Sequence, residues 1–126
     1  LCRKVALDKD GDTIEVWGDG AQTRSFLYVD DCVEGLRLIM KSGPQDPINL
    51  GTEEKVTIDQ LVDLVCEIAG KRLVKVHDLT APHGVRGRNS DNTRLLKVLE
   101  PWSPSTTLRD GLEKTYAWIS EQVKAR

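Results

Sequence analysis

The sequence predicts an α/β fold, and two observations support that prediction. First, segments with the two-residue period of a strand alternate three times with segments that have the 3.6-residue period of a helix. The predicted order is strand, strand, helix, strand, helix, strand, helix, helix. Second, the 126 residues contain no repeat, low-complexity tract or linker. Residues 1–126 are therefore predicted to form one domain.

The first two strands are predicted on either side of a glycine-rich turn. In residues 13–17, Ile14 and Val16 alternate with polar residues, which indicates a half-buried strand. The turn GDGAQT at residues 18–23 leads into a second strand at 24–29. A turn between two strands favours antiparallel pairing, so these strands are expected to form a hairpin-like unit.

A helix and a short strand are predicted next. Asp30 is a suitable N-cap for the helix, and Gly43 is a suitable C-terminal stop. Residues 47–51, PINLG, are expected to form the strand. The core face of the helix is predicted to contain Val29, Val33, Leu36 and Met40.

The helix that begins near Thr57 has the clearest signal. Thr57 and Gln60 have the spacing of a capping box, and Gly70 stands where a C-terminal glycine is expected. Residues 73–79, LVKVHDL, predict the following strand. The apolar stripe of this helix is predicted to be Ile58, Leu61, Val62, Val65, Ile68 and Ala69.

Two more helices are predicted towards the end of the chain. Ser90 or Asp91 is expected to cap a short helix, and Thr107 is expected to cap the last one. Trp17 and Trp102 are expected in the core. The apolar residues of the two helices are Leu95, Leu96 and Leu99 in the first, and Leu108, Leu112, Tyr116, Ile119 and Val123 in the second.

Composition and charge argue against several classes of protein. The net charge is −2, with 18 basic against 20 acidic side chains, so a nonspecific nucleic-acid binder is not expected. No stretch has the length and composition of a membrane span, and no signal-peptide pattern is present. Cys2, Cys32 and Cys66 fit neither a disulfide framework nor a zinc site. Free thiols and a cytoplasmic location are expected.

Residues 85–94, VRGRNSDNTR, form the strongest candidate site. Arg86 and Arg88 precede a predicted helix N-terminus, and guanidinium groups suit phosphate oxygens. The glycine between them would let the backbone approach a ligand. A diphosphate site is one interpretation. The other is a solvated loop, in which Arg86 pairs with an acidic neighbour.

Other catalytic or metal motifs are missing from the sequence. His77 and His83 have no Cys or carboxylate at ligand spacing, so structural or surface roles and no metal site are predicted. The sequence contains no HExxH, GxSxG or P-loop. The turn at 18–23 matches only the first half of the dinucleotide motif GxGxxG.

Three longer motifs resemble one family. They are WGDGAQTRSFLYVDDCVEGL, INLGTEEKVTIDQLVDLVCEIAG and GVRGRNSDNTRLLKVLEPWSPSTTLRDGLEKTYAWI. Together they resemble the second half of the extended short-chain dehydrogenases/reductases that act on nucleotide sugars, and the similarity covers essentially the whole chain. The segment GVRGRNSDN is most similar to the epimerases of this family that act on GDP-mannose.

The resemblance implies that residues 1–126 are the C-terminal substrate-binding portion of a larger enzyme, without the main NAD-binding Rossmann segment. In such an epimerase, NAD oxidises C4 of the hexose, the centres at C3 and C5 are inverted, and the hydride is returned. A homodimeric parent enzyme is expected. The substrate-binding residues implied for this chain are Lys4, Gln22, Arg24, Asn49 and Arg88, while Asp91 and Asn92 would orient Arg88 or cap the helix.

This sequence lacks the Tyr-x-x-x-Lys motif and the phosphate-binding glycine motif of the family. It opens with LCRKVALDK, without Met, and Cys2 is interpreted as the end of a helix. We therefore expect a truncated chain that binds no NAD, has no catalytic residue, is inactive alone and self-associates through exposed apolar surface. Two alternatives stay open at this point. One is part of a UDP-sugar 4-epimerase or a nucleotide-sugar 4,6-dehydratase. The other is a free-standing, non-enzymatic module that binds a nucleotide sugar or an anion.

Overall fold

The structure is a computed structural model that describes residues 1–44, 46–82 and 84–125. From the first strand onwards, its helices and strands follow the predicted order, and a short helix precedes them. The elements are α1 (Cys2–Leu7), β1 (Thr13–Trp17), β2 (Thr23–Ser25), α2 (Val29–Ser42), β3 (Lys55–Thr57), α3 (Ile58–Ala69), β4 (Val74–Asp78), α4 (Thr93–Leu99) and α5 (Leu108–Lys124). Cys2 begins α1 rather than ending a helix.

The strands form two small sheets, and the expected hairpin of β1 and β2 is wrong. β1 pairs with β4 in parallel, and β2 pairs with β3 in antiparallel fashion. The reason lies in the turn between β1 and β2. Gly20 O accepts the N–H of Asp59 at 3.0 Å, and Gln22 O accepts the N–H of Ile58 at 3.1 Å. The start of α3 thus holds the turn, and β2 continues beside β3 instead of folding back on β1.

The core lies between one face of the β1–β4 sheet and the helices α1, α3 and α5. Ile14 and Val16 are 1% and 3% exposed, as the alternation predicts. Trp17 points to the opposite face and is 52% exposed, so its predicted core position is wrong. The residues packed together in the core are Cys2, Val5, Ile14, Val16, Val62, Val65 and Cys66, with Ile58, Ala69, Leu73, Leu112, Tyr116 and Ile119 partly buried against them.

Helix α2 presents its apolar face outwards, contrary to the prediction. Gly35 is buried, and a Cβ there would overlap the side chains of Leu50 and Trp102. The carboxylate of Asp31, on the same side, accepts backbone N–H groups from the 105–106 segment at 3.1 and 2.8 Å. These contacts turn the opposite face, Val29, Val33, Leu36 and Met40, into solvent, where its members are 51–83% exposed. The N-cap residue is Tyr28 rather than Asp30.

The segment 47–51 is not a strand in the structure. Leu50 packs against the helix at Gly35, and the carbonyl of Gly51 accepts a side-chain hydrogen bond. Side-chain contacts therefore fix this segment, and the strand of this region lies later, at Lys55–Thr57.

Helix α3 confirms its predicted boundaries. Thr57 Oγ1 accepts the N–H of Gln60 at 3.1 Å, and Gln60 Oε1 accepts the N–H of Thr57 at 2.9 Å. Gly70 ends the helix with a left-handed backbone, φ 63°. The buried residues of the helix are Leu61, Val62, Val65 and Cys66. The last helix is capped by Thr107, as predicted.

Lys71 joins the end of α3 to the end of α1. Its Nζ donates to the carbonyl oxygens of Val5 at 2.7 Å, Ala6 at 3.1 Å and Asp8 at 2.6 Å. These carbonyls lie at the C-terminal end of a helix of only six residues, where unpaired carbonyls and the helix dipole favour a cation. One side chain thus caps α1 and fixes it to the core.

We predict that Lys71→Met lowers the free energy of unfolding by about 1.5–3 kcal/mol, the scale of a hydrogen bond to a charged group. The methionine keeps the apolar stem but removes the donors. Lys9→Met, in the exposed loop that follows α1, is the matched control and should change stability little. Urea unfolding followed by circular dichroism measures both variants. Equal stability losses would contradict the capping role of Lys71.

Candidate functional site

Three chain segments line an open, shallow groove of about 440 Å³. They are the end of β2 with the residues after it, the segment 49–52, and the segment 88–90. The lining residues are Ser25, Leu27, Asn49, Leu50, Gly51, Thr52, Arg88, Asn89 and Ser90. We call this the Arg88 groove. Two of the predicted substrate-binding residues, Asn49 and Arg88, line it together, although 39 positions separate them in the sequence.

One wall of the Arg88 groove is held by strand-like pairing with β2. Thr23 N donates to Arg86 O at 2.9 Å, and Arg88 N donates to Thr23 O at 3.2 Å. Gly87 lies directly opposite Thr23, where a Cβ would stand 2.9 Å from the threonine hydroxyl. Gly87 therefore lets the loop approach β2. The sequence predicts that this glycine lets the backbone approach a ligand, whereas in the structure its small size serves the contact with Thr23.

The two arginines of this loop have different surroundings. Arg86 Nη1 pairs with Asp19 Oδ2 at 2.6 Å, which confirms the acidic neighbour foreseen for it. In residues 1–44, 46–82 and 84–125, no carboxylate or hydrogen-bond acceptor pairs with the side chain of Arg88, which is exposed. Of the pair, Arg88 therefore has the cation that can contact a ligand in the groove.

The second wall is tied to the first by Asn92, which is 6% exposed. Its Nδ2 donates to the carbonyl of Gly51 at 2.8 Å, and its Oδ1 accepts the hydroxyl of Ser90 at 2.6 Å. Ser90 N also donates to Thr52 O at 3.3 Å. The N-cap residue of α4 is Asn92, so the expectation that Ser90 or Asp91 caps this helix is wrong. Asp91, one residue earlier, accepts the N–H of Thr93 with its Oδ1 at 2.9 Å.

The remaining predicted binding residues lie outside the lining of the groove. Arg24 is half-buried and donates from Nη1 to Thr23 O at 2.7 Å. Gln22 is 4% exposed and donates from Nε2 to Trp17 O at 2.7 Å, while its Oε1 has no partner among the residues that the structure describes. Lys4 is exposed on α1, a helix that packs against α3 and α5. Their substrate contacts stay predictions.

Several groove residues were not identified from the sequence. Ser25 and Leu27 were not singled out by the sequence and reach the groove through the tertiary fold, whereas Ser90 lies within the predicted candidate stretch 85–94. Gly51 gave a weak signal as the end of a predicted strand. A Cβ at Gly51 would stand 2.7 Å from Ser90 Cβ, so its small size lets the two walls touch. The contact with Ser90, 39 residues later, explains why a glycine stands at this position.

His77 has a structural environment, in agreement with the prediction. Its Nε2 lies 2.9 Å from Asp59 Oδ1, which joins β4 to the first turn of α3. His83 lies outside the described residues. Within the described ranges, no group of three His, Cys, Asp or Glu side chains is placed to hold a metal ion.

The three cysteines are free, as predicted. Cys2 and Cys66 are buried in the core, and burial raises the pKa of both thiols. A raised pKa disfavours the thiolate, so these two residues are poor nucleophiles.

Comparison with known proteins gives a consistent family assignment. A sequence model of the family described as GDP-mannose 4,6 dehydratase matches residues 2–115. GDP-mannose 3,5-epimerase 1 of Oryza sativa subsp. japonica and GDP-mannose 3,5-epimerase of Arabidopsis thaliana are each 43% identical over 124 residues. Each alignment covers 98% of this chain and 32% of the relative. The chain therefore spans about a third of the length of these curated relatives.

Solved structures share the fold. UDP-glucuronic acid 4-epimerase from Bacillus cereus, in complex with UDP-glucuronic acid and NAD, matches with a TM-score of 0.85 at 29% identity. UDP-glucose 4-epimerase from Thermotoga maritima, with UDP-glucose, matches with a TM-score of 0.86 at 28% identity. Both matches cover 97% of this chain and 38% of the other. Across the part of the chain that the structure describes, no helix has the length and apolar character of a membrane span.

We predict that the carboxyl group of Asp91 titrates below its ordinary pKa. The N–H of Thr93, and then its hydroxyl, donate to the carboxylate and lower its pKa. Because the folded pKa lies below the unfolded one, the stabilisation is present above the unfolded pKa and is lost as pH falls through the folded value. A carbon NMR titration of the carboxyl group measures the pKa. Thr93→Val, which removes only the hydroxyl, should raise it partway, and an ordinary pKa in the unaltered chain would contradict these hydrogen bonds.

Proposed function

The chain belongs to the GDP-mannose 4,6 dehydratase family, within the NAD-dependent epimerases and dehydratases of the extended short-chain dehydrogenase/reductase type, and from this we propose that it is the substrate-binding part of an epimerase acting on a GDP-hexose. The chemistry proposed for the whole enzyme resembles that of GDP-mannose 3,5-epimerase, with oxidation at C4, inversion at C3 and C5, and re-reduction. The 43% identity with such epimerases supports this choice within the family.

The observation that carries the proposal is the guanidinium of Arg88. It lies in a groove formed by segments from three parts of the chain, and among the described residues no protein group neutralises it. A planar guanidinium binds phosphate oxygens through two parallel hydrogen bonds, and the diphosphate of a nucleotide sugar presents such oxygens. We propose that Arg88 binds the diphosphate and that Asn49, on the facing wall, donates to a hydroxyl or phosphate oxygen of the same ligand.

Lys4, Arg24 and Gln22 are proposed as further contacts. Lys4 would supply a point charge to phosphate, and Arg24 a second fork. Gln22 is the residue whose conformation would have to change most, because its amide is buried and its Nε2 is bonded to Trp17 O. Its partnerless Oε1 is the atom that a ligand hydroxyl would satisfy.

The residues of this chain do not fit the cofactor of the family. A dinucleotide phosphate loop leads from a strand into a helix, whereas the turn at 18–22 leads into β2. The space above Gly20 is filled by the carboxylate of Asp59, which would repel a phosphate. Tyr28 is followed by Val-Asp-Asp-Cys and Tyr116 by Ala-Trp-Ile-Ser, so neither begins a Tyr-x-x-x-Lys motif. We therefore propose that NAD, the hydride transfer and the acid/base chemistry involve residues outside 1–126.

A UDP-sugar 4-epimerase is the second candidate. The structural matches to two UDP-sugar 4-epimerases, with TM-scores of 0.85 and 0.86, favour it. Their identities of 29% and 28% are lower than the 43% shared with the GDP-mannose epimerases, which is why the GDP-hexose is our first choice. Competition between GDP-mannose and UDP-glucose for the chain distinguishes the two.

We also propose that the protein self-associates and lies in the cytoplasm. The exposed apolar face of α2 supports self-association of the chain of residues 1–126, because apolar patches of this kind commonly mark contact surfaces. The homodimer expected of the whole enzyme stays a prediction. A cytoplasmic location also stays a prediction, supported by the three free thiols.

We predict that Arg88→Ala weakens the binding of GDP-mannose by about 10- to 150-fold, which corresponds to the loss of about 1.5–3 kcal/mol from a charged hydrogen bond. Isothermal titration calorimetry measures the dissociation constant. Arg94→Ala is the matched control, since it removes the same charge from a side chain paired with Asp46 outside the groove. Equal affinities of the Arg88→Ala variant and the unaltered chain would overturn the proposed site.

We predict that the chain of residues 1–126 binds GDP-mannose without epimerising it. The proposed substrate contacts lie in this chain, whereas the catalytic motif of the family does not. Incubation with GDP-mannose and NAD, followed by chromatography of the sugar nucleotides, tests for turnover. Formation of an epimer by the purified chain would show that the catalytic groups lie within these 126 residues.

A further inference from the structure

We propose that Asn92 is a positioning residue, which holds the two walls of the Arg88 groove together and thereby fixes where Arg88 meets its ligand. The inference rests on the proposed function, because it assigns the ligand contact to Arg88. Asn92 does not line the groove itself. It lies behind the wall, 6% exposed, and acts through the residues that it bonds.

The two hydrogen bonds of Asn92 go to opposite walls. The donor at Nδ2 reaches the carbonyl of Gly51, 41 residues earlier, and the acceptor at Oδ1 receives the hydroxyl of Ser90. Both Gly51 and Ser90 line the groove. One planar amide therefore links the walls with a donor on one side and an acceptor on the other, a pattern that an aspartate or an aliphatic side chain cannot reproduce.

Asn92 occupies a position in the chain where its side chain would ordinarily bond to its own helix. Asn92 is the N-cap residue of α4, a position where an asparagine side chain ordinarily accepts a backbone N–H of its own helix. Within the described residues its side chain makes no such bond, and the carboxylate of Asp91 accepts the first helical N–H instead. The amide of Asn92 is thereby directed away from the helix and towards the groove.

The packing around these bonds leaves little freedom for the walls. A Cβ on Gly51 would lie 2.7 Å from Ser90 Cβ and 3.1 Å from its hydroxyl, so the walls are in contact where Asn92 ties them. Burial makes these hydrogen bonds costly to break, because no water can reach the buried amide to replace its lost partners. The walls therefore keep one separation in the absence of ligand.

Arg88 lies between two such anchors. On its N-terminal side the backbone is bonded to Thr23 of β2, and on its C-terminal side Ser90 is held by Asn92 and by Thr52 O. No described residue pairs with the side chain of Arg88, while its backbone is held on both sides. An arginine held in this way loses less conformational entropy when it binds a phosphate, which raises affinity without adding a contact.

A double-mutant cycle tests the inference. Asn92→Ala is made with Arg88 present and in the Arg88→Ala variant, and calorimetry gives the dissociation constant of GDP-mannose for each. If Asn92 acts through Arg88, its loss weakens binding about tenfold when Arg88 is present, the scale of one buried hydrogen bond, and has little effect once Arg88 is gone. Asn92→Asp should also weaken binding, because it sets a carboxylate oxygen against the carbonyl of Gly51.

A second measurement does not depend on the ligand. Hydrogen exchange of the Ser90 amide, which is bonded to Thr52 O, reports whether the wall is held. Asn92→Ala should speed this exchange about tenfold or more if the tie is worth one buried hydrogen bond. Lys71→Met, which loosens the distant helix α1, is the control for a general loss of stability. If Asn92→Ala does not fold, Ser90→Ala removes only one of the two bonds and should show the same effects at smaller size.

The outcomes separate the two proposals. Unchanged binding in the Arg88→Ala variant overturns the proposed site and the role of Asn92 with it. Weaker binding in that variant, combined with an equal effect of Asn92→Ala in both backgrounds, overturns only the positioning role. Unchanged exchange of the Ser90 amide in Asn92→Ala also overturns it. Weaker binding that depends on Arg88, with faster exchange, supports it.

Discussion

The rest of this structure depends on one constraint: hydrogen bonds hold the turn after β1 against the start of α3. Two backbone N–H groups of the first turn of α3, from Ile58 and Asp59, bond to the carbonyls of Gln22 and Gly20. These donors belong to a helix start, where no partner exists within the helix. The carboxylate of Asp59 fills the space above Gly20 and also bonds His77 on β4. Sheet, turn and helix are thereby joined at one point.

The direction of β2 follows from that junction, and the Arg88 groove follows from β2. Because the turn is held at α3, β2 runs beside β3 and presents its other edge at Thr23, where the 86–88 loop pairs. The loop then carries one arginine towards Asp19 and leaves the other in the groove. The exposed Arg86–Asp19 pair adds little stability, as is usual for surface ion pairs. Its effect is to pair Arg86 with a carboxylate, whereas Arg88 stays unpaired among the described residues, in a chain of net charge −2.

Different kinds of signal explain which elements were predicted correctly. The ends of α3 came out as expected because Thr57, Gln60 and Gly70 act on groups only three or four residues away. The strand at 13–17 was found because its alternation matches a sheet with one covered face. The outward face of α2 was missed. An amphipathic helix shows that an apolar face exists but not which neighbours it meets, and here Asp31 and Gly35 provide the contacts.

Residue order thus determined the α/β alternation, the caps of α3 and α5, the free thiols and the motifs that resemble one family, since each of these depends on neighbours along the chain. The tertiary structure decided which strands pair, which of Arg86 and Arg88 stays unpaired among the described residues, and why a glycine at position 51 and an asparagine at position 92 suit the fold. Those features depend on contacts between residues far apart in the chain, such as Asn92 and Gly51, which are 41 positions apart, and Arg86 and Asp19, which are 67 apart. A contact of that kind forms only when the chain has folded, because its two partners have no relation in the local pattern of the sequence.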